Sequence, residues 1–315
     1  MNKKIAFHSN QLGLRGTEVA LYSYAKYNEE LLGNKSIILT GPHGDLACLQ
    51  KFKDRFDVHL MDFGSYDSFC KKLNIDYLYV IKAGDNDGYW SRVVPTIVHA
   101  VFCINQPHGH RYVYVSDWLA RSQGYNAATH SLPHIVERLP DPSYDLRVRL
   151  GIPTDAVVFG CYGGSTEFNI DFVQRAIVST VHKNDNIYFI FMNIDKFSAA
   201  HKQIIHLPGT WNLDDKSAFI HATNAMIHAR YGGETFGLAV AEFTMSNKPV
   251  ITFSDSGERN HIEILGDKGI YYNDTSQLLD IFNNLSKYAK YTDYFKLYDQ
   301  YTPEIIMSKF ETLIQ

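Results

Sequence analysis

Two glutamates, Glu234 and Glu242, stand eight positions apart in the run AMIHARYGGETFGLAVAEFTMSNKPVITF, residues 225–253. The run reads as a buried strand, a glycine turn, a helix and a second buried strand. Gly232 and Gly233 permit positive φ and close approach of a ligand to the backbone. The pattern predicts a helix starting within residues 235–237, whose free N–H groups and positive dipole end suit an anion such as a diphosphate. Eight helical residues would separate the carboxylates by roughly 12 Å along the axis, at about 1.5 Å per residue. Carboxylates so spaced can bind separated hydroxyls of one extended ligand, such as a nucleotide joined to a sugar.

Such a site needs a scaffold. The first residues, 4–9, form a short apolar strand, followed by a loop with Gly13 and Gly16 and a helix over 17–30 with Val19, Ala20, Tyr22, Tyr24 and Tyr27 as its apolar face. Strand, glycine loop and helix open a nucleotide-fold unit. Strands are predicted at 36–40, 58–61, 77–81, 96–102 and 112–115, the last feeding a helix capped by Ser116 or Asp117. Pro140, Asp141, Pro142, Ser143, Gly151 and Pro153 then break the pattern and read as a linker over 139–155. A second series follows, with strands at 157–162, 187–192, 204–207, 225–229 and 250–253 and a helix over 170–182. Helical periodicity marks the end of the chain from Tyr294, through Ile305, Ile306, Phe310 and Leu313. Apolar strands alternating with helices point to parallel sheets covered on both faces.

The chain has 315 residues, enough for two α/β domains, and is 45% hydrophobic and 20% charged, as in a soluble globular enzyme. A net charge of -4 leaves no basic excess for binding nucleic acid. The four cysteines, at 48, 70, 103 and 161, lack CxxC spacing, so they read as small buried thiols. No signal-peptide h-region and no membrane-spanning apolar run is seen, and a cytoplasmic location is expected. A peripheral membrane contact and the oligomeric state are left open.

The stretch from Glu234 to Glu242, ETFGLAVAE, resembles the Glu-x7-Glu motif of retaining GT-B glycosyltransferases, especially the family-four group. The resemblance implies an α/β GT-B fold, with two Rossmann-like domains whose parallel sheets face a central cleft. Residues 1–142 would form an acceptor-side domain, with 295–315 packing back on it, and 143–294 the donor domain. It implies metal-independent transfer of a sugar from a nucleotide-diphosphate sugar to a hydroxyl acceptor (a glycan, lipid or small molecule), with retention and without a cofactor. In that family the first Glu contacts the donor sugar, the second binds the ribose, and amides after the first hold the diphosphate. These roles fall on Glu234, on Glu242, and on Thr235, Phe236, Gly237 and Leu238, with Gly233 before them.

Gly13 and Gly16 match the family's glycine-rich loop, with Gly16 near donor phosphate. His99, ending a strand, matches a histidine that touches the donor sugar, with His108 and His110 as competitors. Gly163, Gly164 and Ser165 follow the first strand of the second series and offer backbone and hydroxyl donors. Many family members carry Arg and Lys in that loop, and this chain has neither, so Arg230 or Lys196 are the candidates to supply the charge. Two alternatives stay open: a scaffold binding nucleotide sugar or glycan with little turnover, and a nucleotide-sugar epimerase or phosphorylase on the same fold. Asp85-Asn86-Asp87-Gly88 reads as a polar turn rather than a metal motif. Asp214-Asp215-Lys216 reads as a helix start with acids on the positive dipole end, though the resemblance implies that the equivalent loop can lie near the nucleotide base. His221 and His228 read as core or surface histidines.

Overall fold

The structure is a computed structural model and describes residues 2–315. The chain divides into two compact units, residues 1–135 with 300–315, and residues 136–299.

Unit 1 contains β1 (Lys4–Ser9), α1 (Gly16–Glu30), β2 (Lys35–Thr40), α2 (Leu49–Lys53), β3 (Asp57–Leu60), α3 (Tyr66–Leu73), β4 (Tyr77–Lys82), β5 (Thr96–Ala100), β6 (Arg111–Tyr114), α4 (Asp117–Ser122) and α5 (Ala127–His130). Its six strands pair in parallel in the order β3-β2-β1-β4-β5-β6. The central strands are buried on both faces, which is why they read as continuous apolar runs rather than alternating ones. As predicted, Ser116 caps α4, its hydroxyl accepting from the Leu119 amide at 3.0 Å.

Unit 2 holds α6 (Leu146–Leu150), β7 (Val157–Tyr162), α7 (Asp171–Val181), β8 (Ile187–Met192), β9 (Ile204–Leu207), α8 (Leu213–His221), β10 (Ala225–His228), β11 (Gly233–Glu234), α9 (Leu238–Met245), β12 (Val250–Phe253), β13 (Glu258–Arg259), α10 (Asn260–Leu265), β14 (Ile270–Tyr272), α11 (Thr275–Asn283) and α12 (Leu285–Tyr288). A second parallel sheet of six strands has the order β14-β12-β10-β7-β8-β9, and β11 pairs with β13 apart from it. The last helix, α13 (Pro303–Leu313), belongs to unit 1. There Phe310 packs on Phe7, Tyr24 and Tyr79 at ring distances of 6.0, 5.7 and 5.8 Å. Among the described residues no helix is long and apolar enough to cross a membrane.

Four expectations are corrected. The segment expected to be a linker is built into unit 2. Ser143 donates its amide to Asp214 at 2.7 Å and its hydroxyl at 2.5 Å, and Tyr144 donates to Asp215 at 2.8 Å. Arg147 donates to the Ala222 and Ala156 carbonyls and to Asn224. The prolines shape this segment without freeing it. In α1 the buried face includes Glu18, Ser23 and Asn28, while Val19, Tyr22 and Tyr27 are only partly buried. The polar residues are tied down: Asn28 donates to Ser36 at 2.9 Å, and Ser36 donates to the Ala25 carbonyl at 2.7 Å. Cys103 is exposed, unlike the other three thiols. In α13 it is Ile306, Met307 and Phe310 that are buried, and Ile305 is exposed.

Glu18 is almost fully buried in the first turn of α1. Ser9 donates to its Oε1 at 3.2 Å, while Oε2 has no partner. Burial is the largest influence and raises its pKa to about 7, against the hydrogen bond from Ser9 and weaker opposing effects. A raised folded-state pKa means that the protonated form stabilises the fold. That contribution is complete below the unfolded value near 4.5 and is lost as the pH rises through about 7. Glu18→Gln should therefore gain stability over the parent at pH 8 and little at pH 4.5, read from urea midpoints. An equal difference at both pH values would refute this. Phe310→Ala should destabilise unit 1 by about 3–5 kcal/mol, as expected for removing a buried aromatic ring, measured by denaturant unfolding.

Candidate functional site

In each unit the strand order reverses once, between β1 and β4 in unit 1 and between β7 and β10 in unit 2. At such a point the loops leaving the carboxyl ends of the two strands diverge to opposite sides and open a crevice, the usual ligand position in doubly wound sheets. In unit 2 those loops are 163–170 and 229–237, the two segments that carry most of the expected site.

Hydrogen bonds stitch the loops together. The Asn169 amide donates to the Ala229 carbonyl at 3.0 Å, and the Tyr231 amide to the Asn169 side chain at 2.8 Å. Arg230 joins both loops, with Nε 2.6 Å from Glu167 and NH1 3.1 Å from Glu234. The turn then passes through Gly233 at φ +81°, where an added Cβ would lie 2.0 Å from the Glu258 carbonyl oxygen. Only glycine lets β11 approach β13 this closely. Gly237, at φ +92°, is the N-cap of α9, so the helix begins at Leu238. Asn260 donates to the Phe236 carbonyl at 2.9 Å and pins the turn just before it. The first-turn amides of α9 have no acceptor within the helix.

Glu234 is held at the mouth of this turn. Its Oε1 lies 3.1 Å from His228 Nε2. His228 Nδ1 in turn lies 2.9 Å from the Thr252 hydroxyl, which is 3.1 Å from His261 Nε2. Burial is the strongest single influence on the Glu234 carboxyl and would raise its pKa. The hydrogen bond to His228 and the charge of Arg230 lead the opposing effects, which together hold it at about 2.

Glu242 lies in the second turn of α9 and is buried. Lys216 of α8 places Nζ 2.6 and 2.9 Å from its two carboxylate oxygens. Tyr162, the last residue of β7, donates its hydroxyl to Glu242 Oε2. The Tyr162 ring is stacked on Phe243 at 5.5 Å and meets Phe219 edge-on at 5.8 Å.

The structure brings together Gly163, Gly164, Ser165, Arg230, Gly233, Thr235, Phe236, Gly237, Leu238, Glu234 and Glu242 in unit 2. Gly16 and His99 lie in unit 1, Gly16 as the exposed first residue of α1. His99 is corrected to a core residue. It is fully buried on β5, with Nδ1 2.5 Å from the Tyr79 hydroxyl and rings of Tyr24 and His134 around it. Burial lowers its pKa to about 3. A ring with no exposed surface has no face left for a sugar. Its competitors are engaged too: His110 accepts from the Thr96 amide at 2.9 Å, and His108 Nδ1 lies 2.8 Å from the Gln106 carbonyl. Asp87, in the polar turn after β4, is ion-paired with buried Lys82.

The cation expected from Arg230 is committed to two carboxylates, so it is no free counter-charge, and Lys196 is exposed in the loop after β8. Sequence reasoning missed Lys216, Tyr162 and His228 as partners of the two glutamates. Tyr162 was within reach: the last residue of a strand beside the reversal point is placed at the crevice by topology. For Lys216 the signal was the resemblance, which allows the segment at 214–216 to lie near the nucleotide base but does not pair the lysine with Glu242.

No known family signature matches the sequence, and no curated protein matches it. Similar solved structures cover nearly the whole chain. HepE from Anabaena, in complex with UDP-glucose, aligns with a TM-score of 0.72 at 14% identity, over 98% of this chain and 99% of that one. A glycosyltransferase from Rickettsia africae aligns with a TM-score of 0.71 at 12% identity, over 99% and 98%. A Listeria monocytogenes protein assigned as a UDP-N-acetylglucosamine 2-epimerase aligns with a TM-score of 0.66 at 12% identity, over 100% and 96%. With two parallel six-stranded sheets matched over their full length, the chain has the GT-B fold.

Gly233→Ala should cost about 2 kcal/mol or more, since it combines a positive-φ strain with a backbone clash, read by thermal or urea unfolding. A Gly233→Ala protein as stable as the parent would refute the close approach. A depressed folded pKa at Glu234 means its stabilisation is complete above about 4.5 and is lost as the pH falls through about 2. Stability should therefore fall more steeply between pH 4.5 and 2 in the parent than in Glu234→Gln, measured by urea titrations across that range.

Proposed function

We propose that the chain is a glycosyltransferase that moves a sugar from a nucleotide-diphosphate sugar to a hydroxyl acceptor, with retention and without a metal. The observation that carries this reading is one arrangement: two carboxylates, partly buried Glu234 and buried Glu242, on either side of a glycine-capped helix start at the strand-order reversal of unit 2. Glu234 would accept from hydroxyls of the donor sugar, being ionised at neutral pH. The diphosphate would lie against the first-turn amides of α9, and Glu242 would take the ribose.

Departure of the nucleotide builds negative charge on the diphosphate. Prearranged amides at a helix N-terminus stabilise such charge without reorganising during the step. The acceptor hydroxyl would attack from the leaving-group face, giving its proton to a phosphate oxygen. Glu234 and Glu242 serve as hydroxyl ligands here, not as the nucleophile and acid of a glycosidase. The similarity of fold to HepE, whose structure holds UDP-glucose, supports a nucleotide-sugar donor.

A second reading has its own observation. The loop at 163–169 contains no Arg or Lys, and Arg230 is neutralised by Glu167 and Glu234. That suits a donor-binding scaffold with little turnover.

Purified protein incubated with UDP-, GDP- and ADP-sugars and a panel of hydroxyl acceptors should release nucleoside diphosphate and yield a glycoside of unchanged anomeric configuration. Donor binding without release would support the scaffold, and epimerised donor without acceptor would support the epimerase. Glu242→Ala should weaken nucleotide binding about tenfold or more, the value of a hydrogen bond to a charged group, by calorimetry. Unchanged affinity would remove Glu242 from the donor site.

A further inference from the structure

The ribose assignment above leaves a problem of acceptor capacity at Glu242. An ionised carboxylate offers about four lone-pair positions, two on each oxygen. Lys216 takes one on Oε1 and one on Oε2, and Tyr162 takes the other on Oε2. One position is left, on Oε1. A ribose diol that donates both hydroxyls to this carboxylate would have to displace Lys216 or Tyr162. Tyr162 is fixed by Phe243 and Phe219. The Lys216 ammonium has three N–H donors, and two are spent on Glu242.

The placement of Lys216 is not explained by its own helix. It sits near the N-terminus of α8, the positive end of the dipole, where a cation is unfavourable. Asp214 and Asp215, which suit that end, are bonded to Ser143 and Tyr144. Lys216 is therefore positioned by Glu242, with its ammonium also 5.3 Å from the Tyr162 ring centre. The pair is not sealed: the Lys216 side chain is 12% exposed and that of Glu242 10%, so a ligand can reach both.

We propose that Glu242 and Lys216 together hold the nucleotide ribose, one hydroxyl donating to Glu242 Oε1 and the neighbouring hydroxyl oxygen accepting the third N–H of Lys216. This rests on the donor-site reading above and makes Lys216 a binding residue, with Tyr162 positioning the carboxylate. The pair recognises a vicinal diol as one donor and one acceptor, so the contact is lost when both hydroxyls are removed.

The test compares the tightest binder among UDP, GDP and ADP with its 2′,3′-dideoxy analogue, by calorimetry, on the parent, Glu242→Gln, Lys216→Met and Lys216→Arg. Lys216→Met should weaken the ribonucleotide about tenfold, as for a charge-assisted hydrogen bond, and leave the dideoxy analogue unchanged. Lys216→Arg should recover part of the preference for ribose. Equal weakening of both nucleotides would show a structural or purely electrostatic role, and no weakening would show no role. Either result overturns the inference while Glu242→Gln still loses ribonucleotide affinity and the donor site stands. If none of the three nucleotides binds the parent, the donor-site reading itself fails and the inference falls with it. Should Lys216→Met not fold, Lys216→Met/Glu242→Gln, which leaves no buried charge unpaired, is compared with Glu242→Gln alone. The double variant should abolish the residual preference for ribose, and an unchanged preference would again overturn the inference.

Discussion

Strand β7 pairs in parallel with β10, so that Phe159 stands beside Ala225 and Gly160 beside Met226. These two strands are far apart in sequence, and each passes its next connection to a different side of the sheet. Their loops leave the carboxyl edge at this reversal and are tied to each other by Asn169 and Arg230. The pairing depends on close packing behind it: a Cβ at Gly160 would lie 2.4 Å from the Thr223 methyl group. The first turn of α9, the Tyr162 hydroxyl and the Glu234 carboxylate all reach that edge because they stand at the ends of these two strands or just beyond them.

Charge at the carboxyl edge is balanced in two separate sets. Glu234 is met by His228 and Arg230, and Arg230 is shared with Glu167. Glu242 is met by Lys216 and by a tyrosine hydroxyl. Taking a carboxylate out of water costs several kcal/mol unless it is paired and hydrogen-bonded, and each glutamate has such partners. The sets leave the positive end of α9 as the part of the site with electrostatic capacity to spare for an anion.

Unit 1 repeats the architecture with different contents. At its own strand-order reversal, Glu18 has one carboxylate oxygen without a partner, and Lys82 is paired with Asp87. His99, one strand away, is sealed among aromatic rings. The same topology therefore carries two glutamates met by cations in one unit, and in the other a buried glutamate with one unpartnered oxygen beside a separate lysine–aspartate pair.

The fold class and most strands were legible from sequence, because apolar runs of four to six residues separated by helical stretches have one compact solution, the doubly wound parallel sheet. The pair Glu234 and Glu242, the glycine turn before them and a helix start near residue 237 were legible too, since spacing and positive-φ glycines act locally. Polar burial on α1, the anchoring of residues 143–147 and the core position of His99 were not, because each depends on which neighbours a side chain meets. Lys216 is the clearest case. It is 26 residues from Glu242, on another helix, and only the packing of α8 beside α9 across the ends of β7 and β10 brings them together. Sequence alone determined that this chain places two carboxylates around a helix start; tertiary structure alone decided which partners meet each of them, because the hydrogen-bonded contacts of Lys216, Tyr162 and His228 depend on packing that sequence spacing does not encode.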